Sequence, residues 1–289
     1  MLEKVDYFCT SLFKSALREG TSCPNCGGEP KDVVSRKYFV TALVRCDECR
    51  LQYRTPTTES SRLREFYQRK YKQGFTTELP TVTELKEYID IGFKGTPRDY
   101  TKYLSVLDSL SVAPSSHILE FGCSWGYGSW QLARAGYSVD AIEISGPRGE
   151  YASTQLGVSV LKDLENSEDS YDVFFSSHVL EHVPSLRKVI ESAFKVLNPG
   201  GYFVAVTPNG SNAYRLANPK SWNSLWGDVH PIFLDDEFYQ MEFGDSPYCL
   251  ASVDGSAHFI KAWVEQNGGH QEVGDTSGEE LLIIVKKGV

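Results

Sequence analysis

The stretch "ILEFGCSWGYGSWQLARAG" (residues 118–136) decides the fold. Apolar Ile118 and Leu119 lead into Glu120 and Phe121, and a turn carrying Gly122, Gly126 and Gly128 follows. Beyond the turn the apolar residues fall at helical spacing. A strand, a bare-backbone turn and a helix, in that order, form the context of a nucleotide-binding loop. Glycine there lets ligand atoms approach the main chain. The GK[ST] ending of a Walker-type phosphate loop is absent, and the glycines depart from GxGxxG, with Ser124 and Trp125 ahead of Gly126. Glu120 at the strand end, with no lysine in the turn, fits an uncharged or zwitterionic ligand better than a pyrophosphate. Its carboxylate would repel phosphate and attract an ammonium.

Working outward, strands are expected at 117–121, 138–143, 158–161, 171–176, 200–206 and 281–287. Helices are expected near 126–135, 147–156 and 185–197, the last stopped by "NPGG" at 198–201. This alternation predicts an α/β fold, a doubly wound and mostly parallel sheet with helices on both faces. It occupies residues 113–289, and the irregular, aromatic-rich segment at about 208–280 is expected to form a cap over the sheet's carboxyl edge. Glu143 ends the second strand, about 20 residues past the first glycines, where a carboxylate accepts both hydroxyls of a ribose or simply stands exposed. Asp163, followed by Leu164, ends the third, where an aspartate meets an adenine amino group or caps a helix.

Ahead of this domain, residues 1–56 form a second unit. "TSCPNCGGEP" supplies Cys23 and Cys26, and "RCDECR" supplies Cys46 and Cys49. Two CxxC knuckles at this separation, joined by a strand-like alternating segment, match a four-thiolate zinc site. So small a module cannot build a sufficient core, and Zn²⁺ would supply its folding energy. Four cysteines leave no open position, so the zinc is structural rather than catalytic, with a redox dithiol as the alternative reading. Residues 57–112 read as a helical linker or lid, with helices over 60–75 and 97–112. Tyr67, Tyr71 and Phe75 recur at four-residue steps, which suits a core-facing stripe or a lid contact to an acceptor.

The chain carries 29 Lys and Arg against 38 Asp and Glu, for a net charge of −9. Residues 1–75 hold +5 of this balance and the remainder −14, so nucleic acid is disfavoured as a general partner. No apolar run approaches the roughly 20 residues that span a bilayer. No basic start followed by an apolar core marks a secretory signal, and the cysteines do not form a disulfide framework. A cytoplasmic location and no membrane partner are expected.

The stretch 116–207 resembles the class I S-adenosylmethionine-dependent methyltransferases. "ILEFGCSWGYG" is similar to their first motif and "VDAIEIS" to their acidic second strand. "YDVFFSSHVLEHVPSLRKVIESAFKVLNPGGYFVAVTPN" is similar to their fourth strand, following helix and fifth strand, with "VLEHV" and "LNPGG" at the usual spacing. The resemblance implies a seven-stranded sheet with the last strand antiparallel, and S-adenosyl-L-methionine as cofactor. Carried over by position, Glu120, Gly122, Cys123, Ser124, Gly126 and Tyr127 would line its methionine end. Glu143 would hold the ribose, Asp163 and Leu164 would flank the adenine, and Ser177 and His178 would pass beneath it. Ser124 replaces a glycine most members carry, and Trp125 is expected to wall the pocket.

A sulfonium methyl is already activated, so alignment does most of the work, worth up to roughly 7–11 kcal/mol. A general base, where the acceptor must lose a proton, adds about 10²–10⁴-fold. His178, His182 and His230 are the catalytic candidates. The first two sit four residues apart just past a strand's carboxyl end, and the third lies in "WGDVHPIF". Each also has a packing or capping reading. Cys123 lies in the loop with no base beside it and is not read as a nucleophile. The strand-four signature of DNA-base or glutamine amino methylation is missing, since the chain reads "SSHVL" there, and no Pro-Cys pair appears for cytosine C5 chemistry.

Three functions follow. The leading one is methyl transfer to a small-molecule or sugar or glycan acceptor, because a zinc module ahead of this fold resembles bacterial sugar methyltransferases. The second is an RNA methyltransferase whose ribbon holds RNA. The third is a non-catalytic zinc-ribbon interaction protein.

Overall fold

In the computed structural model, residues 20–57, 78–164, 170–227 and 230–288 are described, with Lys14 alone from the N-terminal segment. The helix expected over 60–75, with Tyr67, Tyr71 and Phe75, lies outside the described residues.

The chain begins with an antiparallel ribbon, β1 (Pro30–Lys37), β2 (Thr41–Cys46) and β3 (Gln52–Thr55). Two helices follow. In α1 (Val82–Asp90) Thr81 and Glu84 cap each other's main chain reciprocally, satisfying two orphan amides; α2 is Thr101–Ser109. The alternating part comprises β4 (His117–Phe121), α3 (Tyr127–Arg134), β5 (Ser138–Ile142), α4 (Gly146–Leu156), β6 (Ser159–Leu161) and β7 (Tyr171–Ser177). A 3₁₀ turn at Leu180–His182 leads to α5 (Leu186–Val196) and β8 (Leu197–Pro208). Then come α6 (Asn212–Ala217), α7 (Pro219–Leu225), β9 (Ile232–Phe233), α8 (Asp236–Glu242), β10 (Tyr248–Ser252), α9 (Ala257–Glu265), β11 (Gln271–Val273) and β12 (Glu280–Lys286).

Among the described residues the main sheet has eight strands, in the order β11-β10-β12-β8-β7-β4-β5-β6. The five from β6 to β8 run parallel, and β12 runs antiparallel to both β8 and β10. The apolar run "LLIIV" in β12 marks a strand covered on both faces. Leu282 and Ile284 pack on one face with α2, α3 and α9. Leu281, Ile283 and Val285 pack on the other with α5, α8 and the ribbon.

Three expectations differ from what forms. Seven strands become eight because the short β11 adds to the sheet edge beside β10. The segment 208–280 is not irregular throughout: β10 and α9 are part of the sheet and its flank, and both are short enough for their periodicity to be lost among loop residues. The helix stops at Val196, ahead of "NPGG" as expected, but the strand expected from 200 already starts at Leu197. Gly201 is pressed so close to the Asp172 carbonyl that a Cβ would sit 2.9 Å from it.

The ribbon is docked rather than tethered. β9, from the main domain, extends its sheet beside β3, and Arg45 reaches Asp235 at 2.7 Å.

Candidate active site

Beyond β4 the chain turns to β5 on one side, while β7 pairs on the other. Open α/β sheets bind ligands at such a switch point, outside the carboxyl ends of the strands. A cavity of about 1130 Å³ lies there. Ligand pockets hold roughly 300–1,000 Å³, so this one is large for its class.

Glu143, just past β5, lines one end. Its two carboxylate oxygens both accept from main-chain amides: Oε1 from Ser145 N at 2.7 Å and Oε2 from Ser124 N at 2.8 Å. Burial pushes this carboxyl up, and the Ser145 amide, Arg148 and the Ser124 amide act against it. A carboxylate has about four acceptor sites, so capacity remains for a ligand hydroxyl. Ser124 holds a left-handed φ of 53°, and its buried Oγ has no hydrogen-bond partner among the described residues. Gly122 (φ 86°) is required by space as well. A Cβ there would lie 2.3 Å from Val179 Cγ2, because the loop after β7 packs directly on the loop after β4. Tyr127, Asp163, Leu164, Ser177 and His178 also line the cavity.

Glu120, Cys123 and Gly126 are not brought to it. Glu120 is 2% exposed. Its Oε1 accepts from Tyr100 Oη at 2.7 Å and its Oε2 from Ser129 Oγ, so the carboxylate braces Tyr100, which does line the cavity. Burial drives its carboxyl up against those two bonds. Cys123 packs with Ala141, Ala152 and Val158, and burial lifts its thiol well above the ordinary range. Gly126 starts α3 at a φ of 89°, and a Cβ on it would meet Ala152 of α4 at 2.8 Å. Trp125 does not wall the pocket. It is fully buried in an aromatic cluster with Phe93 at 5.9 Å and Tyr127 at 5.0 Å, pinning the segment after α1 to the domain.

The other end is formed by residues from distant parts of the chain. His178 (φ 56°) meets Glu280 Oε1 through Nε2 at 2.6 Å, and Tyr103 Oη donates to the same oxygen at 3.1 Å. Lys102 pairs with Glu280 Oε2. Burial raises the Glu280 carboxyl, but the His178 bond and charge and Lys102 outweigh it and hold the group at about 2. Burial pulls His178 down, yet Glu280 and Glu181 raise it overall, and its Nε2 is taken up by Glu280. Glu181, His182 and His230 gather nearby. The two histidine rings stand 4.7 Å apart, and Glu181, 1% exposed, lies 3.7 Å from His178 Nδ1 and from His182 Nε2.

Tyr100, Lys102, Tyr103, Glu181 and Glu280 were not singled out from the sequence. The spacing of "YTKY" on α2 was a usable signal, and Glu181 sits inside "VLEHV". Glu280 had none: it arrives because β12 runs antiparallel to β8, pairing Glu280 with Pro208 at that strand's carboxyl end.

In the ribbon, Cys23 Sγ lies 3.6 Å from Cys49 Sγ and Cys26 Sγ 3.4 Å from Cys46 Sγ, all four within 4.8 Å of one another. Thiolates on a tetrahedral zinc with ~2.3 Å bonds stand about 3.8 Å apart, so the donor set fits that ion and not a pair of disulfides.

Fold and cavity together define a doubly wound α/β domain with a ligand-sized cleft at its switch point. A family model described as a methyltransferase domain matches residues 95–268. The chain belongs to that family, within the class of S-adenosylmethionine-dependent methyltransferases. It is 31% identical over 97 residues to a Mycolicibacterium smegmatis protein described as a "Probable S-adenosylmethionine-dependent methyltransferase", covering 32% of this chain and 38% of that one. Over 117 residues it is 30% identical to the ubiquinone biosynthesis O-methyltransferase of Psychrobacter cryohalolentis, covering 36% and 43%. The matches thus span well under half the length of these curated relatives. Among solved structures, the plantazolicin methyltransferase BpumL in complex with S-adenosylhomocysteine shares the fold, with a TM-score of 0.50 at 16% identity over 72% of this chain and 91% of that one. No helix among the described residues is long and apolar enough to cross a membrane.

Proposed function

We propose that the chain transfers a methyl group from S-adenosylmethionine to a small, hydroxylated acceptor, a sugar or glycan being the leading class. The observation that carries this is the single cavity with two unlike ends: a carboxylate with spare acceptor capacity at Glu143, and a polar, histidine-lined space at the other. S-adenosylmethionine, when bound, supplies a methyl already activated on sulfur. Glu143 holds the ribose hydroxyls, Asp163 and Leu164 border the adenine, and Gly122, Ser124, Tyr127 and Ser177 enclose the methionine part. The orphaned Ser124 Oγ is aimed to serve as a donor or acceptor there. The acceptor hydroxyl is handled at His182 and His230 rather than at His178, because His178 is committed to Glu280. Lys188 and Ser192 of α5 line the same end and offer donors to hydroxyl oxygens. Displacement by the acceptor oxygen needs alignment above all, which the docked α2 and the loop after β7 provide.

The RNA reading has less behind it. The ribbon's Arg45 and Arg50 are turned onto Asp235 and Glu237 of the main domain, which removes basic charge from the surface that would meet phosphate. We assign the four cysteines to a structural zinc, expected as one tightly held ion per chain that Cys46→Ser abolishes. The experiment that tests the function is a screen of sugars, nucleotide sugars, small phenols and RNA with labelled donor. Label transferred to RNA alone would overturn the acceptor class.

A further inference from the structure

Glu181 is a problem the methyl-transfer reading leaves unsolved. Its carboxylate is 1% exposed, and neither oxygen has a hydrogen-bond partner among the described residues. Burying an ionised carboxylate without hydrogen bonds costs several kcal/mol, so such a group marks a place built for a cation. Three imidazoles lie around it, and one of them, His178, with Nδ1 3.7 Å away, is already held by Glu280 through Nε2. His182 Nε2 lies 3.7 Å away, too far for a hydrogen bond, and the donor atoms of Glu181, His182 and His230 all fall within 4.8 Å of one another. His230 is also set in one tautomer: its Nδ1 is bonded to the Leu225 carbonyl, so Nδ1 carries the proton and Nε2 keeps its lone pair. Metal-binding histidines show this arrangement, the far nitrogen tied to a carbonyl so that the near one is a fixed ligand.

We propose that Glu181, His182 and His230 bind a divalent first-row transition metal at the acceptor end of the cavity. Two imidazoles and one carboxylate on one side of an ion leave its remaining positions open toward the cavity. Donor atoms on an ion with ~2.1 Å bonds stand about 3–4 Å apart, so a side-chain rotation closes the set. The site is separate from the ribbon, whose four thiolates leave no position open.

Its consequence for the reaction rests on the methyl-transfer reading. An acceptor hydroxyl bound to the ion loses its proton to solvent at neutral pH far more readily than a free one. The oxygen lone pair then forms the new O–C bond as the C–S bond breaks and its electron pair returns to sulfur. The products are the methyl ether, S-adenosylhomocysteine and one released proton. On this account His182 and His230 act as ligands, not as bases.

The test uses full-length protein carrying one zinc per chain, which the four thiolates take first, and Mn²⁺ as the probe, read by calorimetry and by the loss of its free-ion paramagnetic resonance signal. One Mn²⁺ per chain is expected, with affinity falling at least tenfold in both Glu181→Gln and His230→Ala and unchanged in His258→Ala, an exposed histidine on α9. The Mn²⁺-induced rise in melting temperature should disappear in Glu181→Gln. Binding of S-adenosylhomocysteine by the variants shows that they are folded and tests the cofactor reading separately. No Mn²⁺ bound by the wild type, or undiminished binding in both variants, overturns the site.

Discussion

The two ends of the cavity are built in opposite ways. The Glu143 end comes from one short stretch of chain, the β4–α3–β5 unit, and its carboxylate is met by amides 19 residues before and two residues after it. The Glu181 end is assembled from α2, the turn after β7, the segment before β9 and the start of β12, and it holds a buried carboxylate with no hydrogen bond among the described residues. A locally built, nearly satisfied end suits a ligand shared by a whole family. An end gathered from distant segments, with polar groups left over, suits the part of the reaction that differs from one enzyme to the next.

Gly122 joins the two, and its substitution should have the largest effect. Gly122→Ala places a methyl 2.3 Å from Val179 at a φ of 86°. Strain and overpacking together should cost about 4 kcal/mol, lowering the melting temperature by several degrees and weakening ligands at both ends. A variant with unchanged melting would show that the loops are not packed as described. Glu143→Ala should separate the ends instead. Two charge-assisted hydrogen bonds lost from the ribose amount to about 3 kcal/mol, or roughly 100-fold in S-adenosylhomocysteine affinity, with Mn²⁺ binding kept.

Glu280 gives a pH signature to the acceptor end alone. Its folded-state carboxyl is held at about 2, below the ordinary 4.5. The unfolded chain therefore binds the proton first as pH falls. The stability from the His178–Glu280–Lys102 group is complete above pH 4.5 and is lost as pH drops toward 2. This amounts to about 2–3 kcal/mol, and Glu280→Gln should flatten that slope in denaturant titrations. The same slope in the variant would remove Glu280 from the network. Smallest is Tyr100→Phe, which leaves Glu120 Oε1 without its donor and should cost about 1–2 kcal/mol in stability while changing cofactor affinity only a fewfold.

The same contrast explains what was legible in the sequence. Strand and helix alternation over 117–206 has strong periodicity, and Gly122, Ser124 and Glu143 lie where a local motif puts them. The motif puts Glu120, Cys123 and Trp125 beside the cavity along the chain, but it does not set the direction a side chain takes. Their neighbours Tyr100, Ala152 and Phe93 decide that, and all three belong to other elements. β10 and β11 were missed because strands of five and three residues beside aromatic loops carry too short a pattern. Glu280 became a cavity residue only through the antiparallel pairing of β12, which no local signal announces.

Calorimetry with S-adenosylhomocysteine on zinc-replete wild type and Glu143→Gln tests the central claim most directly. One molecule bound per wild-type chain, with affinity at least tenfold weaker in the variant at unchanged melting temperature, is the expected result. No binding by folded wild type, or equal affinity in both proteins, would contradict it.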